Sequence, residues 1–185
     1  MHQLGLDTVR LVPFREPPHR ALPDDPGPEV RYEMCALVAE ADPALEVSRI
    51  ELDRPGPSYT ADTLAALRER CPGDELFLIL GGDQAAALPT WHEPERVLAL
   101  AVLAAAERVD WPRERVIASL AGLAGAHEVR FFDMPRIDVS SSMVRERAAR
   151  RAPIRYLVPD SVASYIEARD LYRASTTVAG GPGAD

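Results

Sequence analysis

Along this chain the apolar positions fall into short blocks. Their spacing shifts from two residues, to between three and four, and back again. Residues 8–14 (TVRLVPF) and 45–52 (LEVSRIEL) alternate and are rich in β-formers, so each predicts a strand. Residues 76–80 (LFLIL) are an unbroken apolar run, the pattern of a central strand buried on both faces. Residues 101–106 and 129–134 predict two more strands. Between them lie helical patterns at 30–41, 63–70, 95–100, 111–125, 143–151 and 161–169. In the first of these, Tyr32, Cys35, Val38 and either Leu37 or Ala39 share an inward face. Ser58, Thr60 or Asp62 is available to cap the second, and Asp160 or Ser161 the last, behind Pro159. Residues 1–7 read as the end of a helix stopped at Gly5. Residues 21–29, rich in Pro and Asp, read as a mobile loop, and 173–185 as a disordered tail.

Strands alternating with helices imply an α/β fold with a mostly parallel sheet and helices on both faces. One domain, 1–172, accounts for the whole pattern, with no internal repeat. A helix-then-strand opening normally follows an earlier strand, so the expectation is an N-terminally truncated domain whose first strand is missing.

Composition narrows the chemistry. Apolar residues at 46% and charged residues at 27% are globular values. No apolar run is long enough to span a bilayer and no leader opens the chain, which predicts a cytoplasmic protein with no membrane partner. A net charge of −8 argues against nucleic acid as a partner. Cys35 and Cys71 lie in unrelated segments without metal-like spacing, so both are expected reduced and no protein-held metal is expected. All 21 basic residues are Arg; the chain has no Lys. A Walker-type or Schiff-base lysine is therefore excluded, and any phosphate must be held by Arg, His, hydroxyls or backbone N–H groups.

Four loops that follow strands carry groups suited to such a ligand. Asp138-Val139-Ser140-Ser141-Ser142-Met143-Val144-Arg145 joins a strand to a helix. Hydroxyls there can cap the helix, its free N–H groups and dipole attract phosphate, and Arg145 lies one turn in, able to reach back. An ordinary N-cap with a solvated Arg face is the plainer reading of that stretch taken alone. His19 and Arg20 stand in a stiff basic loop, Arg15-Glu16-Pro17-Pro18-His19-Arg20. Gly81-Gly82-Asp83 closes the apolar strand, where glycine admits a close approach to the backbone and Asp83 can accept from a ribose or base. Tyr59 and Thr60 lie in a Pro- and Gly-fixed loop, and Trp91 is either core or a platform for a flat ring. In a parallel sheet these loops share its carboxyl edge, where ligands bind.

Taken in order, LGLDTVRLVP, PPHR, GPSYTADTL, GGDQAAALPTW, DVSSSMVRERA and RYLVPDSVASYI resemble the bacterial nicotinate-mononucleotide adenylyltransferases, nucleotidyltransferases of Rossmann-like α/β fold. The resemblance runs from about Gly5 to Tyr172. It implies adenylyl transfer from ATP to nicotinate mononucleotide, giving nicotinate adenine dinucleotide and pyrophosphate in NAD biosynthesis, with Mg²⁺ assisting. It further implies that Ser140, Ser141, Ser142, Arg145, His19 and Arg20 hold ATP phosphates. Gly82 and Asp83 would face the nucleotide, and Thr60 with its neighbour Tyr59, and Trp91, the nicotinate ring. A homo-oligomer is allowed for. Two departures stand out: Ser142 replaces the family's usual Thr, and the family's G-G-x-F-D-P-x-H-x-G-H loop is absent, so no catalytic residue is assigned. Alternatives are an adenylyl- or cytidylyltransferase with another acceptor, or an inactive nucleotide-binding remnant.

Overall fold

The computed structural model describes residues 1–16 and 25–173. Five strands run parallel to their neighbours. Strand β1 (Val9–Leu11) pairs with β2 (Leu45–Val47), Val9 opposite Leu45. Strand β3 (Phe77–Gly81) pairs with β4 (Val102–Glu107), and β4 with β5 (Arg130–Asp133). The expected single sheet is thus two ladders, β1–β2 and β3–β4–β5, with no ladder joining them among the described residues. The helices are α1 (Pro28–Ala39), α2 (Thr60–Arg70), α3 (Gly82–Ala87), α4 (Pro94–Leu100), α5 (Arg113–Leu120), α6 (Ser141–Ala149) and α7 (Asp160–Ala168). A short 3-10 turn, His2–Leu4, opens the chain and ends at Gly5, whose φ of 64° only glycine adopts freely.

The core has two parts. Ala61 and Leu64 of α2, Ala85 of α3, Leu88, Val97 and Leu98 of α4, Leu103 and Ala105 of β4, and Val116 and Leu120 of α5 form the larger one. Val144 and Ala148 of α6, Ile154, and Val162, Ala163 and Ile166 of α7 form a smaller one, with Met34 and Val38 of α1 against it.

Several expectations shift. Strand 45–52 stops at Val47, because Ser48 turns the chain: its amide reaches Leu11 O and its hydroxyl accepts from Ile50 N. The long helix expected over 111–125 is only Arg113–Leu120, since Gly122 and Gly125 take φ values of 100° and 85° and break it. No residue of α1 is fully buried, Cys35 included, because this helix flanks β2 and α7 and stays outside the main core. Strand β3 is not buried on both faces either: Leu78 and Leu80 pack against the main core, whereas Ile79, on the opposite face, is 41% exposed. None of Ser58, Thr60 and Asp62 caps α2, whose N-cap is Tyr59, and α7 starts behind Pro159 without a side-chain cap. The mobile loop expected over 21–29 lies outside the described residues up to position 24, and the tail expected over 173–185 lies outside them from 174 onward. No helix among the described residues is long and apolar enough to cross a membrane.

Candidate functional site

Strand β5 leads through an exposed loop to Ser140, the N-cap of α6. Its hydroxyl accepts from Met143 N at 3.1 Å, so the expected cap forms. Ser141 begins the helix, and Ser142 Oγ accepts from Arg145 Nη2 at 3.2 Å. The Arg145 guanidinium thus folds back onto the exposed first turn, where free N–H groups and the helix dipole favour an anion. Burial pushes the Tyr172 phenol up from its ordinary value, and the positive charge of Arg145 partly opposes that.

The strand-to-helix turn at β3 has a packing reason for its second glycine. Gly82 is buried, and a Cβ there would lie 2.8 Å from Trp111 Cβ and 3.2 Å from the Ala106 and Trp111 carbonyl oxygens. Protein packing by itself demands a glycine here. A Cβ on Gly81 would lie 2.7 Å from Asp83 Oδ1. That carboxylate, half-buried in the first turn of α3, therefore curls back over the strand end.

The third group forms where α2 and α4 begin. The Tyr59 ring stacks on the His92 imidazole with centroids 4.2 Å apart and planes 35° apart. Thr60 follows Tyr59 as the first residue of α2, and Trp91 precedes His92. Trp91 is half-buried against the main core, so it is core on one side and open on the other. Arg96 of α4 joins Asp62 of α2 at 3.4 Å and Glu93 at 2.7 Å, which ties the two helix starts together. The structure brings Tyr59, Thr60 and Trp91 into one neighbourhood, and Ser140, Ser142 and Arg145 into another. His19 and Arg20 lie outside the described residues.

Several side chains of this region escaped the sequence reading. His92 is one. Arg31 is another: it donates to Phe14 O at 2.7 Å, stacks over the Phe14 ring and pairs with Asp25, so it holds the chain leaving β1. The buried Glu51 and Thr63 and the half-buried Arg54 form a cluster behind Tyr59. The four-residue step from Tyr59 to Thr63 could have signalled it, since that step brings a helical hydroxyl back onto the carbonyl one turn earlier.

Residues 1–147 match the cytidylyltransferase-like family model. The chain is 34% identical over 174 residues to the nicotinate-nucleotide adenylyltransferase of Bacillus subtilis, covering 94% of this chain and 87% of that one. It is 43% identical over 170 residues to a probable nicotinate-nucleotide adenylyltransferase of Thermus thermophilus, covering 92% and 86%. The chain belongs to this family. Nicotinate-nucleotide adenylyltransferases also provide its fold likeness. A Plasmodium falciparum nicotinic acid mononucleotide adenylyltransferase complexed with NaAD superposes with a TM-score of 0.69 at 17% identity, over 92% of this chain and 89% of that one. Another structure of that protein, complexed with APC, gives a TM-score of 0.68 at 16% identity. The Rossmann-like α/β fold expected from the sequence is therefore the fold found.

Proposed function

We propose that this chain transfers the adenylyl group of ATP to nicotinate mononucleotide. The acceptor's phosphate oxygen forms a bond to the α-phosphorus, the bond from that phosphorus to the β-bridging oxygen breaks, and pyrophosphate leaves with the electron pair. The observation that carries the reading is the mouth of α6, with Arg145 folded onto Ser142 beside the Ser140 cap, in a chain with relatives of that name at 34% and 43% identity.

In this scheme Ser140, Ser141, Ser142 and Arg145 receive the triphosphate, joined by His19 and Arg20. Gly82 and Asp83 face the nucleotide, and Tyr59, Thr60 and Trp91 receive the pyridine ring and its carboxylate. No covalent intermediate on the protein is needed; phosphoryl chemistry of this kind is positioning and charge stabilisation. The chain's net charge of −8 makes this local basicity necessary, since without it an anionic substrate would be repelled. Among the described residues no group of three or more His, Cys, Asp or Glu could hold a metal ion. Mg²⁺, in this proposal, would come with ATP and would supply neutralisation of the triphosphate charge. The four histidines, at 2, 19, 92 and 127, form no H-x-G-H pair, so none is assigned a catalytic role.

The test is pyrophosphate release with ATP and Mg²⁺, offering nicotinate mononucleotide or nicotinamide mononucleotide as acceptor, alongside calorimetric binding of each. Release and binding that require the nicotinate form are expected. The absence of both turnover and binding with that mononucleotide would overturn the proposal.

A further inference from the structure

Glu51 (9% exposed) and Thr63 (5% exposed) are buried polar side chains in a core otherwise built of apolar groups. Burying a carboxylate is costly unless it is hydrogen-bonded, so this pair needs a reason. The Thr63 hydroxyl sits 2.7 Å from Glu51 Oε1 and 3.2 Å from Tyr59 O. It has one hydrogen, and the nearer, charged acceptor takes it. Its lone pair then accepts from Arg54 Nη2 at 3.0 Å, and the same Nη2 reaches Tyr59 O at 3.4 Å. The relay therefore runs from Arg54 through Thr63 to Glu51. It draws the start of the 54–59 loop onto its end. Between those ends lie Pro55, Pro57 and Gly56, the last at φ 84°, which leave the loop few other shapes. Outside the relay, the Tyr59 ring lies against His92, and Asp62 is joined to Arg96 and Glu93.

We infer that Arg54, Thr63 and Glu51 are positioning residues for the flat-ring acceptor: they fix the Tyr59 ring and carbonyl so that the surface beside Trp91 is shaped before the acceptor arrives. This rests on the proposed function, and it assigns those three residues to the acceptor side of the site alone. None of them touches substrate; they act through Tyr59 and Thr60. A pre-formed surface spends less binding energy on ordering its loop.

The test compares Thr63→Val, which keeps the shape and removes the hydroxyl, with Thr63→Ser, which restores it. Arg54→Met, at a half-buried position, removes the donor while keeping a long unbranched side chain there. Each folded variant is titrated calorimetrically with nicotinate mononucleotide and, separately, with Mg-ATP. Thr63→Val and Arg54→Met should weaken mononucleotide binding by about tenfold, the scale of one lost charge-linked hydrogen bond. Their Mg-ATP affinity should stay within about twofold, and Thr63→Ser should recover most of the loss. Equal losses for both ligands, no loss, or no rescue by Ser would overturn the inference. If Thr63→Val does not fold, Arg54→Met decides alone. A wild-type chain that binds no nicotinate mononucleotide would sink the functional proposal first; a wild type that binds it with unselective variants sinks only the positioning role.

Discussion

Replacing Gly82 by alanine asks whether the turn at the end of β3 is shaped by protein packing. The added Cβ would fall 2.8 Å from Trp111 Cβ, where ordinary carbon contacts lie at about 3.5–4.0 Å. It would also meet two carbonyl oxygens at 3.2 Å, from Ala106 in β4 and from Trp111. None of these atoms sits at the end of a flexible side chain, so backbone must move. Overpacking of that kind costs about 1–3 kcal/mol. Gly82 is the first residue of α3 and has no positive φ, so alanine gains only part of the helix-interior propensity of about 1 kcal/mol. The net expectation is a loss of about 1–2 kcal/mol, or a fall in Tm of about 2–8 °C for a chain of this size. Two controls set the scale. Gly73→Ala meets nothing within 4 Å and should be neutral or slightly stabilising. Gly81→Ala meets only Asp83 Oδ1, at 2.7 Å, a carboxylate that can rotate away. It should therefore cost little stability while displacing Asp83. Thermal unfolding of the three variants by circular dichroism measures this. Gly82→Ala as stable as Gly73→Ala would refute the packing argument and reopen the turn to a ligand-based explanation.

Ser140→Ala removes the α6 cap, which should cost about 1 kcal/mol and lower Tm by about 2–4 °C in the absence of any nucleotide, read by the same melts; unchanged melting would mean the cap is not formed in solution. Stability should also fall at alkaline pH. Burial raises the folded-state values of the Cys35 thiol and the Tyr172 phenol, so their contribution is complete below the unfolded values, about 8.5 and 10, and is lost as pH rises through the folded ones. Urea midpoints compared at pH 7.5 and 10.5, with Cys35→Ala reducing the drop, check the sign; a midpoint that rises with pH would contradict it.

Much of the fold was legible because period and composition agreed. LFLIL could hardly be anything but a strand, and Gly122 with Gly125 marked a stop that the Ala- and Leu-rich pattern masked. The α6 mouth was legible because Ser capping is a local interaction across three residues. Other features depended on distant partners. The need for Gly82 comes from Trp111, and the environment of His92 from Tyr59. The Glu51–Thr63 pair spans a loop whose return path no local pattern specifies. The exposure of Ile79 likewise depends on what packs over its face of β3, a tertiary matter that the apolar run 76–80 could not answer.

The division of the interior into two clusters bears on time as well as on shape. Helix α6, with Ser140 at its head, is rooted through Val144 and Ala148 in the smaller cluster, whereas Tyr59, Thr60 and Trp91 are anchored to the larger. Units with fewer apolar contacts open more often than the molecule unfolds, so amide hydrogens of α6 and α7 should exchange ahead of those of β4 and α5. A dinucleotide lying across both units would close that difference, because opening either one would then require its release. If the proposed site spans both clusters, the protection of α6 against exchange would report its occupancy.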